Sequence, residues 1–342
     1  MKKHILIDMS PLLYSNLFSA TNTARKEHIK KIDGKFNLDE YKDVVIFKIF
    51  DELSKIKTQF DVTDEDEVIL AFDNSTGGYW RKDIWPGYKS KRKKARDDSE
   101  IQWDKAFDLF KEIRETLTNC SSFKCISINK VEADDIIFVL SKHFSLIDEK
   151  SIIVSVDHDF IQCLEYDNTE FYRTKKSQGK ESEYYEATAA ELEDIILEHC
   201  IAGDPGDGFF NIKSYSRFSE DFLKIYPQFE GEEKRLYPKR FEINQAFEDK
   251  HNKSAYNHPR YGYKMFLRTK KTIDEILDEN EIYKWNYEMN RKLALPESIP
   301  SEISKEIIDT YKESSNEMNY QCMYDFLMKY SLFESTSNIL SM

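Results

Sequence analysis

Cysteine, proline and glycine are all scarce in this chain of 342 residues, with five, eight and ten of each. So little Gly and Pro excludes a fibrous or low-complexity protein. The cysteines at 120, 125, 163, 200 and 322 are odd in number and form no CxxC pair. A disulfide framework and a structural zinc site are therefore not expected; reduced thiols in a cytoplasm are. Long hydrophobic runs are also missing, so no segment of about 18 apolar residues could cross a bilayer. The opening MKKHILIDMSPLLYSNLFSA imitates a secretion signal, but His4, Asp8, Ser10, Pro11, Ser15 and Asn16 interrupt its apolar run. Positive charge is in deficit, 50 Lys and Arg against 63 Asp and Glu, a net −13. That excludes a generally cationic coat but not a local basic groove. A soluble cytoplasmic monomer without a membrane partner is the expectation.

Four short, nearly continuous apolar runs stand out: His4–Ile7, Val68–Phe72, Phe123–Ile128 and Ile152–Val156. Strands buried on both faces of a parallel sheet read this way. Helical periodicity separates them, most clearly over Leu38–Phe60, where apolar residues recur at 38, 41, 44, 45, 49, 53 and 56. Residues 102–118, 133–144 and 188–201 read as further helices. The alternation predicts an α/β fold, an open and mostly parallel sheet with helices on both faces. After about residue 200 the strand signal fades into polar, aromatic-rich helical pattern. Two regions are expected: an α/β core over 1–200, including a basic segment at 76–104, and a helical region over 201–342.

The strand ends carry acid. The first run ends at Asp8, the second at Asp73, and the fourth runs into Asp157 and Asp159. The third is followed by VEADD, which supplies Glu132, Asp134 and Asp135 at a helix start, and AGDPGDGF adds Asp204 and Asp207 farther on. Any one aspartate is more often a helix cap or strand terminator than a functional group. Acid on four successive strand ends is different, because ligands bind outside the carboxyl ends of open parallel sheets and clustered carboxylates repel unless a cation joins them. An all-oxygen set without organised His or Cys selects Mg²⁺ or Mn²⁺, and a pair of such ions suits phosphodiester chemistry.

A basic counterpart follows the Asp73 strand end. RKDIWPGYKSKRKKAR carries Arg81, Lys82, Lys89, Lys91, Arg92, Lys93, Lys94 and Arg96 against one Asp, net +7 in sixteen residues. Tyr79, Trp80, Trp85 and Tyr88 are interleaved with these cations. A solvated charged face is the bland alternative. Aromatics among cations, beside an acidic rim, point instead to a nucleic-acid strand.

The ordered set ILIDMS, LAFDNSTGGYWRKD, YKSKRKKAR, VEADDII, SVDHDFIQ and AGDPGDGF resembles the flap endonuclease and 5′-nuclease superfamily, most closely its T-even phage ribonuclease H branch. The likeness runs from residue 4 to about 218 and continues weakly in MYDFLMKYSLFESTSN. It implies a PIN-like nuclease core, a helical arch, and a helix–three-turn–helix element at about 196–225 that grips duplex backbone. It places Asp8, Asp73, Glu132 and Asp134 around a first metal ion, and Asp157, Asp159, Asp204 and Asp207 around a second. Asp135 matches an acid of the outer shell. Lys89 and Arg96 match a phosphate-clamping pair, seven apart and so on one face of an arch helix. Tyr88 matches an arch aromatic that stacks on a base. Lys213 and Arg217 would hold duplex phosphates. The chain departs from the family at Gly208, where GDxxDN has Asn, and in lacking the glycine-rich hairpin that follows. Both departures argue against the potassium site that many relatives build there.

The resemblance implies a Mg²⁺-dependent, structure-specific 5′ nuclease with exonuclease and flap activities on RNA or DNA annealed to DNA. It implies RNA primer removal in phage lagging-strand replication. Forked or flapped duplex DNA and RNA–DNA hybrid are the expected partners, with a replication clamp and single-strand-binding protein by family analogy. An aspartyl phosphatase is disfavoured because ILIDMS lacks the second acid of a DxD. A catalytically silent DNA-binding member of the fold is the alternative, and it would be expected to lose acids that this chain retains.

Overall fold

The computed structural model describes residues 2–90, 92–174, 182–204, 206–208, 211–213, 263–315 and 317–332. Lys91, Arg217 and the 214–225 part of the expected duplex-binding element lie outside the described residues, as does the side chain of Lys94. Two compact units form: Met1–Tyr79, Lys94–Ala187 and Ile299–Met342 make the first, Trp80–Lys93 and Thr188–Ser298 the second.

The first unit is built on a six-stranded sheet. Strands β1 (Lys3–Asp8), β4 (Glu67–Ala71), β5 (Lys124–Ile126), β6 (Lys150–Ser155), β7 (Thr169–Arg173) and β8 (Glu183–Tyr185) lie in the order β5-β4-β1-β6-β7-β8. All neighbours are parallel except the β7–β8 edge pair. The expected mostly parallel open sheet is borne out. A small hairpin, β2 (Lys31–Ile32) with β3 (Lys35–Phe36), stands apart. Strand β1 is central, and its Ile5, Leu6 and Ile7 are fully buried because helices cover both faces.

Helix α1 (Met9–Lys26) starts on β1's last residue, since the Asp8 carboxylate accepts from the Ser10 N–H as its N-cap. It buries Leu13, Leu17, Ala20 and Ala24 at helical spacing. Helix α2 (Lys42–Gln59) buries Val45, Ile49, Phe50, Leu53 and Ile56. After the short helices α3 (Arg81–Ile84) and α4 (Arg92–Asp97), helix α5 (Trp103–Cys120) presents Ala106, Leu109, Ile113 and Leu117 to the same core. Helix α6 (Ala133–Leu146) buries Ile136, Ile137, Leu140 and Phe144.

The C-terminal helices return to this unit. At the sheet end where the parallel strands begin, the Glu67 carboxylate accepts from the Tyr311 hydroxyl (2.6 Å) and pairs with Lys124 and Lys2 (both 2.9 Å). His4 lies 3.0 Å from Glu67 and 2.6 Å from Glu149, with its ring stacked on Phe144. The expectation of five reduced thiols is corrected here. Cys120 and Cys322 form a disulfide, and beside it the Asn319 N–H donates to the Cys120 carbonyl where the last described helix meets the end of α5. Cys125, Cys163 and Cys200 are free.

In the second unit, helix α7 (Ala189–Ala202) packs with α8 (Tyr263–Thr269) and α10 (Glu281–Ala294), and α9 (Ile273–Leu277) packs on α10. Its core joins Ile201, Ile212, Phe266, Ile276 and Tyr283. Two buried asparagines one turn apart on α10 hold the last turn of α7 and the chain that follows it. The Asn290 amide donates to the Cys200 carbonyl (2.9 Å), and the Asn286 amide to the Ile212 carbonyl (2.7 Å).

Candidate metal-binding rim and basic arm

The acids of the first unit gather where the parallel strands end. Asp8 is the last residue of β1, opposite Ala71 in the register, while Asp73 and Asp157 each lie two residues beyond the strands on either side. Asp8 is buried, its two oxygens accepting from the Ser10 N–H (3.1 Å) and the Ser155 hydroxyl (3.0 Å). Ser155 also accepts from the Asp157 N–H at 3.0 Å, so one hydroxyl orders both acids. Burial pushes the Asp8 carboxyl up to about 8; the negative charges of Asp73 and Asp157 add to this, against the two hydrogen bonds.

Asp73 is fixed by the start of α6, where the Ala133 N–H donates to its Oδ1 at 2.8 Å. Glu132 caps that helix in a reciprocal box with Asp135, which is fully buried, and Asp134 occupies the first turn. Asn74 ties the β4 end to the neighbouring loop through the Val131 carbonyl and the Ser127 and Asn129 side chains. Asp157 opens a 3-10 turn, its carboxylate accepting from the Asp159 N–H at 3.0 Å. Among the described residues, no three His, Cys, Asp or Glu side chains form a ready-made metal-holding group. The rim offers only oxygen donors, the chemistry that suits a hard divalent cation.

Beside Asp73 opens a cavity of about 270 Å³ lined by Tyr14, Tyr79, Phe107 and Phe110, with Lys111 and Arg114 among the polar groups at its wall. The charge and period patterns did not mark it, because Tyr14 of α1 and Phe107 and Phe110 of α5 meet Tyr79 only in the fold. Ser10 and Ser155, which order Asp8, were likewise missed. Their one signal was a serine two residues on either side of strand-end acids, in DMS and SVD.

The basic segment departs from the expected geometry. Lys89 lies in a turn with φ 52°, ahead of α4, and Arg96 lies within that helix. The two therefore do not share a helical face over two turns; a left-handed residue cannot continue a right-handed helix. Arg96 sits over the Phe107 ring, 5.4 Å from its centroid. Lys82, Arg92 and Lys93 are exposed. Arg81 is buried in the second unit, where it donates to the Leu293 carbonyl and stacks on Trp80. Tyr88 is buried too, its hydroxyl directed at Asp207. Lys213 is buried beside Glu279 and the Tyr283 ring. Asp204 folds back on its own turn, accepting from the Gly206 N–H at 2.7 Å.

Residues 3–193 match the family described as the 5′-3′ exonuclease, N-terminal resolvase-like domain. The chain belongs to this family. The matched stretch holds every acid of the rim from Asp8 to Asp159 and the whole basic segment. Ribonuclease H of Enterobacteria phage T4 is 30% identical over 213 residues, 62% of this chain and 64% of that protein, so the match spans slightly under two thirds of the relative's length. A phage T5 protein crystallised with metal ions superposes with a TM-score of 0.50 at 15% identity, over 99% of both chains. That likeness is one of fold alone. A zinc-bound T5 5′-exonuclease gives 0.48 at 14% identity, over 92% of this chain and all of that one. The family resemblance seen in the ordered motifs is thus borne out.

Proposed function

We propose that the chain is a divalent-metal-dependent, structure-specific 5′ nuclease that hydrolyses phosphodiesters near the 5′ end of a strand annealed to DNA. The observation that carries this reading is the placement of buried Asp8 at the carboxyl end of the central strand, with Asp73 and Asp157 two residues beyond the strands on either side, an arrangement whose burial and like charges push the Asp8 carboxyl up. A rim that stores like charge in this way is completed by a cation. Asp8, Asp73, Glu132 and Asp134 would hold one Mg²⁺ or Mn²⁺, and Asp157 and Asp159 would contribute to a second. When bound, such ions stabilise charge on a phosphate undergoing displacement.

The protein's own groups do the rest. Ser10 and Ser155 fix both Asp8 oxygens, and the α6 N-terminus fixes Asp73, so the rim is ordered before substrate arrives. The aromatic cavity beside Asp73 suits a base of the strand being cut, with Lys111 and Arg114 close to its phosphates. Exposed Arg92 and Lys93, with Lys89 and Arg96, supply positive charge for the backbone. The likeness to a phage ribonuclease H supports the RNA strand of a hybrid as substrate and RNA primer removal in phage replication as the setting. The departures at Gly208 and in the missing glycine-rich hairpin are what speak against a potassium site.

The test is a 5′-labelled RNA strand annealed to DNA, incubated with Mg²⁺ or with EDTA. Short labelled products in Mg²⁺ alone are expected. A full-length label under both conditions would leave a silent binding protein of the same fold.

A further inference from the structure

The cavity beside Asp73 lies wholly within the first unit and combines an aromatic lining with an arginine that lacks a counter-charge. Phe107, Lys111 and Arg114 are spaced i, i+4 and i+7 on α5, so one face of that helix supplies both kinds of group. Tyr14 of α1 meets Phe110 edge-on with ring centroids 5.6 Å apart, and Phe107 adjoins the same ring at 6.5 Å.

Arg114 is half-buried, and its Nη1 donates to the Ser127 hydroxyl at 2.9 Å. No carboxylate among the described residues pairs with it, in a chain that holds 63 acids. Lys111, by contrast, is exposed and has Glu115 3.9 Å away. The Ser127 hydroxyl also accepts from the Asn74 amide, at 3.3 Å, and Asn74 directly follows the rim acid Asp73. One hydroxyl therefore fixes the guanidinium relative to the end of β4. A guanidinium carries five N–H donors in a planar fork, and a single neutral oxygen satisfies only one of them. An oxyanion is the partner this fork lacks. The cavity, about 270 Å³, has room for one base. A paired base is held in the duplex stack and cannot enter such a recess, so its occupant is an unpaired nucleotide.

We propose that Arg114 is a positioning residue: it holds a backbone phosphate of an unpaired nucleotide whose base stacks on the cavity aromatics, and this grip sets which phosphodiester meets the rim. The proposal rests on the nuclease reading above and deepens it, since it gives the substrate a single-stranded nucleotide beside the cut.

Arg114→Ala tests this on DNA bound in EDTA, comparing a duplex that carries a 5′ single-stranded flap with the same duplex blunt-ended. Affinity for flapped DNA should fall about fivefold or more, and its logarithmic salt dependence should become shallower by about 0.7, the share of one phosphate on a single strand. Blunt duplex should bind within about twofold of the parent, because no contact to it is lost. In single-turnover cleavage in Mg²⁺ the parent's main cut should spread over neighbouring phosphodiesters. Ser127→Ala leaves the charge but frees the fork. Its salt slope should hold while its cuts spread, a result that a damaged fold would not give. Equal weakening on both DNAs by Arg114→Ala, or parental cut positions in both variants, overturns the proposal. Binding of neither DNA by the parent protein would sink the nuclease reading instead.

Discussion

Replacing Asp8 by Asn should stabilise the metal-free protein, and by more at pH 8 than at pH 5. Asn caps a helix as well as Asp does, so the bond from the Ser10 N–H is kept, and the new amide faces the Ser155 hydroxyl. What disappears is a carboxyl that keeps its proton up to about pH 8 when folded, while an unfolded aspartate loses it near pH 4. Between those values the native state binds more protons than the unfolded state, so raising the pH removes stability from the parent. Three pH units at about 1.4 kcal/mol each set a ceiling of about 4 kcal/mol between pH 5 and pH 8. Thermal melts in EDTA across this range should place the Asp8→Asn midpoint several degrees above the parent at pH 8, with the gap narrowing toward pH 5. A gap that is absent at pH 8, or constant with pH, refutes the account of the rim as stored repulsion.

Other consequences can be checked separately. Glu67 is held well below the usual carboxylate range because His4, Tyr311, Lys124 and Lys2 outweigh the upward push of burial. Its contribution is present above the unfolded value near pH 4.5 and is lost as pH falls below it, so Glu67→Gln should cost about 2–4 kcal/mol at pH 7 and much less at pH 3, by urea titration. Asn286→Ala removes the donor to the buried Ile212 carbonyl; hydrogen exchange at residues 200–204 should accelerate as about 1–3 kcal/mol of local protection is lost. In the parent the same exchange should be equal in KCl and NaCl at fixed ionic strength, and a K⁺-specific slowing would restore a potassium site. Lys89→Ala should lower single-turnover cleavage about tenfold or more at saturating substrate; a change in affinity alone would make this lysine a tether.

The parallel strands were legible because each is buried on both faces and reads as a continuous apolar run. Strands β7 and β8 were not, since TEFYR and EYY mix polar and aromatic residues on a half-covered edge. Helix α1 was obscured by polar residues that the helix satisfies internally: Asn16 donates to the Leu12 carbonyl and Thr21 to that of Leu17. The rim acids were found because strand ends converge on one edge, a property of topology that motif order reveals. The arm was read less well. A helical spacing was assigned to Lys89 and Arg96, but the docking of Lys89 on Asp207 imposes a left-handed turn. Arg81, Tyr88 and Lys213 look like surface residues by composition; the Leu293 carbonyl, Asp207 and Glu279 supply the partners that let them be buried. The Cys120–Cys322 pairing could not be read either, because nothing in the spacing brings residues 202 apart together.

The central claim, that the strand-end acids of the first unit drive metal-dependent phosphodiester cleavage, is met most directly by one comparison. Parent and Asp157→Asn would be followed in single-turnover cleavage of a 5′-labelled RNA–DNA hybrid in Mg²⁺, with hybrid binding measured alongside. Metal charge stabilisation supplies several kcal/mol, so the account predicts a loss of at least about a hundredfold in rate with binding retained. Near-parental cleavage by Asp157→Asn would contradict it.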